Sequence, residues 1–337
     1  MAKQARHPKD NRIDRRPRAW PALVGDIGGT NARFAIIEEP GARPSQALCL
    51  KGHDYPDLSS VMAAYLHHND GCPIRRAALA VAGPIEGDVF RFSNRDWSFS
   101  LTDLAAELAI ESLRLVNDFE ALALAVPRLD DDEFMQIGGG HACATAPIAV
   151  IGPGTGLGVA GLLRDASGWR AIATEGGHSD FAPGGELEVE LLRHLRSQFG
   201  NHVSAENILC GDGIARMHDA LALLHGTEAP RLTTADIITQ GTHDTVDTAC
   251  ARTLSLYCEM LGGFVGNVAL ITGARGGVVL GGGVLPRIPQ YLNNGGFRRR
   301  FEAKGQMSHY VAAITTRLIM TGDAALRGAA AILDQGL

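Results

Sequence analysis

No C-x-x-C pair and no metal-ligand spacing links Cys49, Cys72, Cys143, Cys210, Cys250 and Cys258. That argues against a disulfide framework or a zinc ribbon and suits buried, free thiols in a reducing compartment. No G-x-x-x-x-G-K-[ST] occurs, which excludes Walker-type phosphate chemistry. Glycine or polar residues interrupt every long apolar stretch, and none approaches the roughly 18 residues of a membrane span. The N-terminus lacks an apolar h-region: residues 1–19 carry Lys3, Arg6, Lys9, Arg12, Arg15, Arg16 and Arg18 against Asp10 and Asp14. This arm reads as a disordered extension or a vector-derived tail, not as a secretory signal. With the whole chain at −6, the part from Trp20 onward carries about −11, which argues against nucleic acid as a partner of the folded body. A soluble, cytoplasmic protein is expected, with neither membrane nor nucleic acid as partner.

What is present is a large apolar content, 45% of 337 residues, enough for two domains of ordinary size. The 41 glycines cluster at strand ends and form no low-complexity tract. Ala22 to Ile27 reads as a strand, Gly28-Gly29-Thr30-Asn31 as a tight turn and Ala32 to Ile37 as a return strand. Such a turn can close backbone N–H groups on a phosphate, Thr30 adds a hydroxyl, and Asp26 could hold Mg²⁺ directly or through water. An ordinary hairpin is the competing reading, weakened by an acid placed inside an apolar strand.

Leu58, Val61, Met62, Tyr65 and Leu66 mark the core face of a helix. The strand from Ala77 to Ala82 ends at Gly83-Pro84, and a second one over Val89 to Phe92 delivers Ser93-Asn94-Arg95-Asp96-Trp97, a polar loop with an aromatic that suits a sugar. Ser100-Leu101-Thr102-Asp103 opens a helix in the manner of a capping box. An apolar run over Leu113 to Val116 then reaches Asn117-Asp118-Phe119, and a helical stretch from Ala121 to Val126 follows at once. Strand, exposed acid and helix in that order place Asp118 where α/β sheets meet their ligands, so it can take a substrate proton. A pre-helix Asp is also a common N-cap, and position alone leaves both readings open.

Residues 128–146 lack clear periodicity, and a domain boundary falls there. The opening theme then returns: strand Ile148 to Ile151, turn Gly152-Pro153-Gly154-Thr155-Gly156, strand Leu157 to Leu163. Gly156-x-Gly158-x-x-Gly161 matches a dinucleotide motif formally, but strand pattern instead of helix follows it, so that reading is rejected. The strand from Trp169 ends in Glu175-Gly176-Gly177-His178, with an acid and an imidazole around a glycine pair. Glu206 stands in Ser204-Ala205-Glu206, where it could merely favour a helix dipole. Long helices are read over 187–199, 214–224 and 245–269, a buried strand over Gly276 to Leu280 ends in Gly281-Gly282-Gly283, a late strand covers Ala313 to Ile319, and a last helix covers Ala324 to Leu333.

These stretches, from Leu23 to Arg33, Asn117 to Phe119, Gly154 to Gly158, Glu175 to His178, Ser204 to Glu206 and Gly281 to Gly283, resemble in this order the bacterial-type glucokinases of the hexokinase, actin and heat-shock ATPase superfamily. The resemblance runs from about Trp20 to the C-terminus. It implies an α/β fold of two ribonuclease H-like domains with a cleft for sugar and nucleotide between them, a small one over 20–128 plus 317–337 and a large one over 129–316. It implies Asp118 as general base on the 6-hydroxyl of glucose, with Asn117, Glu175, His178 and Glu206 holding the other hydroxyls and Ser93 and Asn94 lining the same pocket. ATP would fall to Asp26, Gly28, Gly29, Thr30, Asn31, Gly154, Thr155, Gly156, Gly281, Gly282 and Gly283, with Mg²⁺ at Asp26, and a homodimer is expected. The related repressor and sugar-kinase group carries a cysteine-rich zinc loop after its Glu and His motif; Cys210 here has no partner nearby, which argues against that group and against zinc. A kinase for another hexose or hexosamine and a catalytically silent sugar sensor are the alternatives.

Overall fold

The computed structural model describes residues 20–334 apart from 70, 72, 84, 86, 93–95, 167, 228–229 and 244–247. The basic arm, with the disorder expected of it, lies outside the described residues, as do Ser93 and Asn94. Apolar runs ended by glycine make the first strands: β1 (Ala22–Ile27) turns into β2 (Asn31–Ile37), and β3 (Ser45–Lys51) completes a meander. α1 (Leu58–His68) begins at Asp57, whose carboxylate accepts from the Ser60 N–H at 2.7 Å, and it buries Leu58, Val61, Met62 and Tyr65 on one face. β4 (Arg76–Val81) and the ribbon of β5 (Val89–Arg91) and β6 (Ser98–Ser100) follow. α2 (Leu101–Glu107) is capped by the Ser100 hydroxyl, and β7 (Ser112–Asn117) passes without a break into α3 (Asp118–Ala125).

β8 (Phe134–Gly138) lies in the stretch where no periodicity is visible. The meander then repeats as β9 (Ile148–Pro153), β10 (Leu157–Asp165) and β11 (Gly168–Thr174). The helices α4 (Glu186–Phe199), α5 (Glu206–Leu209), α6 (Gly211–Leu224), α7 (Thr234–His243) and α8 (Ala249–Thr272) lead to β12 (Gly277–Leu280). Three short helices, α9 (Pro289–Asn293), α10 (Gly296–Glu302) and α11 (Ser308–Ala312), precede β13 (Thr316–Ile319) and α12 (Ala324–Asp334).

The first sheet runs β3-β2-β1-β4-β7 and the second β11-β10-β9-β12-β13-β8. In each, a three-strand antiparallel meander is followed by two strands parallel to its first, so the five-strand ribonuclease H-like order occurs twice and β8 is an added antiparallel edge. Because β13 pairs between β12 and β8, a small domain that takes up the chain at 317 would cut through the second sheet.

α3 and α12 lie together between the sheets. α3 joins the cluster that includes Val150, Ala160 and Leu162, and α12 packs Leu326, Ala329 and Leu333 with Val24 and Ala78. Their close crossing requires Gly328, where a Cβ would fall 1.7 Å from the Ala121 carbonyl oxygen. The expectation that no stretch approaches a membrane span needs correction: α8 is long and apolar enough by length and composition, since its glycines and small polar residues interrupt the run without lowering its average enough. It is a core helix here, burying Leu254, Tyr257, Leu261 and Val265 in the largest apolar cluster.

Candidate active site

The carboxyl ends of β1, β4 and β7 lie abreast, with Ile27 opposite Val81 and Val81 opposite Asn117. Chain leaving those strands therefore arrives in one place: Gly28-Gly29 after β1, Ala82-Gly83 after β4 and Asp118 after β7. From the second sheet the β9–β10 turn, Gly154-Thr155-Gly156, faces them, joined by Glu175 and His178 beyond β11 and by Glu206 at the start of α5. Together they line a cavity of about 340 Å³.

The junction of β7 and α3 divides two roles between neighbouring side chains. Asn117 is the N-cap: its Oδ1 accepts from the N–H groups of Phe119 at 2.9 Å and Glu120 at 3.2 Å, while its Nδ2 donates to the Gly83 carbonyl at 3.4 Å. The capping work thus falls to the amide. The Asp118 carboxyl stands at the cavity wall, its Oδ1 accepting from the Phe119 N–H at 2.9 Å. Burial strips it of water and pushes its pKa up to about 7, the charges of Asp26 and Glu175 push the same way, and the N–H of Phe119 opposes them.

Across the cleft the His178 imidazole lies between two carboxylates, with Nε2 3.8 Å from Glu206 Oε1 and 3.9 Å from Glu175 Oε2. Glu206 is also tied to the turn: its Oε2 accepts from the Leu157 N–H at 2.8 Å, and a Cβ on Gly156 would fall 2.5 Å from that oxygen. Only glycine leaves room for this carboxylate. Acids, amide and imidazole around a small polar cavity can hold a polyol through several directed hydrogen bonds.

Not every residue expected at the site lines this cavity. Asp26 sits within β1 and pairs with Arg33 across the hairpin at 3.4 Å; burial raises its pKa while Arg33 opposes. Thr30 lines a neighbouring hollow with Gly29, and the Asn31 Oδ1 accepts from Lys51 Nζ at 3.0 Å. Gly281-Gly282-Gly283 ends β12 outside the cavity lining. A Cβ on Gly281 would meet Leu122 at 2.5 Å and one on Gly282, at φ +85°, would meet the Pro153 carbonyl oxygen at 2.3 Å; Gly283 alone faces open space. Trp97, the aromatic of the polar loop after β5, is 7% exposed and packs edge-on against Phe92 in the core.

Comparison with known proteins gives this geometry its context. The glucokinase family profile matches residues 23–336. A glucokinase of Chromobacterium violaceum is 45% identical over 321 residues, which cover 95% of this chain and 91% of that protein. The chain belongs to the glucokinase family. A glucokinase of Aromatoleum aromaticum is 44% identical over 94% of this chain and 96% of its own. Among solved structures, a glucokinase from an Antarctic psychrotroph superposes with a TM-score of 0.81 at 37% identity, covering 93% of this chain and 98% of that one. A Streptomyces griseus glucokinase of the ROK family, solved with glucose and AMPPNP, shares the fold with a TM-score of 0.64 at 18% identity, covering 93% and 99%.

For a glucokinase, the residues missed by sequence reading are those that bring the two half-sites together. Phe119, Leu157 and Gly158 belong to the stretches that carried the resemblance, yet nothing in their types announced a role. Their partners are remote in sequence, and only the fold places Phe119 against Gly158.

Proposed function

We propose that this member of the glucokinase family transfers the γ-phosphate of ATP to the 6-hydroxyl of glucose with Asp118 as general base. The observation that carries this reading is a carboxyl with a pKa near 7 in one cavity with a hydroxyl-binding cluster and a glycine turn of phosphate type. Asp118 takes the proton of the 6-hydroxyl, the O6–P bond forms, and ADP leaves with the electrons of the broken P–O bond. Asn117, Glu175, His178 and Glu206 orient the sugar, with Ser93 and Asn94 from the adjoining loop. The turns at 28–31 and 154–156, each held in shape by the N–H of its first glycine donating to the carbonyl of its last residue, surround the phosphates, and Gly283 lies open to the nucleotide.

Among the described residues no three His, Cys, Asp or Glu side chains gather into a metal cage. Mg²⁺ needs none, because it keeps several waters and binds through one or two carboxylates plus substrate phosphates. Asp26, partly buried and balanced by the single Arg33 pair at 3.4 Å, fits that part. When bound, the ion neutralises charge on the transferring phosphate.

Phosphorylation of glucose against mannose, fructose and glucosamine in a coupled assay tests the assignment, since a site that reads hydroxyls discriminates steeply among them. ADP release that is independent of any hexose overturns it. Because kcat/KM reports the free enzyme's essential groups, it should fall about tenfold per unit as pH drops below about 7. An acid limb near pH 4 instead means that the carboxyl keeps an ordinary aspartate pKa in the working enzyme, and Asp118→Asn then decides whether it is the base. Glu206→Ala is expected to raise KM for glucose by about tenfold or more, the loss of a buried charged partner being worth about 1–3 kcal/mol. It should also raise KM for ATP, because the Leu157 N–H and the turn before it lose their anchor; unchanged constants leave Glu206 a helix start only. The same proposal divides the chain into a small unit, 20–128 with 320–334, and a large one, 129–319. It includes a cytoplasmic homodimer, which sedimentation tests.

A further inference from the structure

We infer that Phe119 is a positioning residue: its ring, seated against the bare backbone of Gly158, sets the placement of the Asp118 carboxyl relative to the Gly154–Gly156 turn across the cleft. The inference rests on Asp118 being the base.

Phe119 is joined to the base through its own backbone. Its N–H donates to Oδ1 of Asp118 and to Oδ1 of the capping Asn117, both at 2.9 Å, so any shift of residue 119 shifts the donor that fixes the carboxyl. Its side chain is held by the other half of the molecule. A Cβ built on Gly158 would fall 1.8 Å from Phe119 Cδ2 and 2.1 Å from Cε2, so the ring fills the space where any other residue would begin its side chain. That contact belongs to β10, whose first residue, Leu157, donates to Glu206 and follows directly on the turn. One aromatic ring therefore spans from the base to the strand that carries the turn and anchors the hydroxyl-binding acid.

The remainder of α3 reinforces the contact. One helical turn on, Leu122 packs where Gly281 has no side chain, so the helix lies on β10 and β12 through two glycine notches and Phe119 is the one nearer the reacting groups. The ring also lines the cavity beside the carboxyl and helps keep water from it. Misplacement by about 1 Å is enough to cost about 10² in rate.

The experiment compares Phe119→Ala, Phe119→Leu, Gly158→Ala and the double Gly158→Ala/Phe119→Leu in kcat, KM for glucose, pH profile and thermal unfolding. Phe119→Ala and Gly158→Ala should each lower kcat by about 10- to 100-fold, with KM for glucose changed much less. In Phe119→Ala the acid limb should move to lower pH as water reaches Asp118. The double variant should lose no more than Gly158→Ala alone, because the smaller, flexible leucine relieves the clash with the new methyl group. A lowered melting temperature with unchanged kcat and an unmoved limb makes Phe119 a packing residue and overturns the inference, as do losses that multiply in the double variant. Should Phe119→Ala fail to fold, Phe119→Leu and Gly158→Ala decide by the same criteria. Retained activity in Asp118→Asn sinks the base assignment itself, whereas an inactive Asp118→Asn beside fully active Phe119 and Gly158 variants sinks this inference alone.

Discussion

Asp118→Asn is expected to lower kcat by about 10²–10⁴, the range a general base supplies, while KM for glucose stays close to that of the parent. The amide is nearly isosteric and keeps an oxygen for the Phe119 N–H, so the start of α3 should survive; its cap is Asn117 in any case. Stability separates a lost base from a damaged fold. An ordinary Asp titrates at 3.8, but the folded carboxyl titrates near 7, so between those values the folded state keeps a proton that the unfolded state has released. Ionising Asp118 therefore costs stability as pH rises toward 7, and above 7 the parent bears the whole cost. The Asn variant never bears it. It should unfold at a higher temperature than the parent at pH 8, with the advantage shrinking toward pH 4. Lower stability at pH 8 together with lost activity would mean that the carboxylate holds the fold and does not serve the reaction.

That Asp118 was readable at all depended on its company. The strand-turn-strand openings at 22–37 and 148–163 were visible because apolar runs bounded by glycine admit few other structures, and two such openings pointed to two related units. β3 left no such mark: its Ser-Gln-Ala-Leu-Cys-Leu-Lys is a partly exposed edge strand without clean alternation. β8 is likewise a short edge strand, held by β13 instead of by its own pattern, and the helices over 289–312 are too short for a periodicity to declare itself. The same limit operates within the site. Glycine runs mean either close approach of a ligand or close approach of protein, and sequence does not distinguish them. Gly281 and Gly282 proved to be shaped by Leu122 and Pro153, and Gly158 by Phe119. An aromatic in a polar loop is ambiguous in the same way, and Trp97 packs inward on Phe92.

Arg327→Leu is expected to cost about 1–3 kcal/mol of stability, because the Glu133 carboxylate loses its two-point partner and keeps only Arg43 at 3.8 Å and the Asp130 N–H. Residues 126–133 lead from α3 to β8 at the edge of the second sheet, and residues 320–323 lead from β13 in that sheet to α12, which packs on β1 and β4 of the first. Glu133 is where those two stretches meet. Its carbonyl accepts from the Met320 N–H at 2.9 Å, and its carboxylate grips the Arg327 guanidinium on α12 at two points, 2.6 and 2.8 Å. A third bond runs from Arg327 Nε to Asp323 at 2.9 Å, and the two main partners are only 6% and 13% exposed. The hydrogen bonds from Arg327 hold the Glu133 carboxyl below its usual 4.5, so the pair stabilises fully above that pH and fades as pH falls through the lowered value. The gap in urea unfolding between parent and Arg327→Leu should accordingly be wide at neutral pH and narrow in acid. If desolvation dominates, the double variant Arg327→Leu/Glu133→Leu should recover part of the loss, since only Asp323 is then left without its Arg327 partner. A single variant as stable as the parent at pH 7 would show that the packing of α3 on α12 holds these two stretches together without help from the pair, with the close Gly328–Ala121 crossing as its centre.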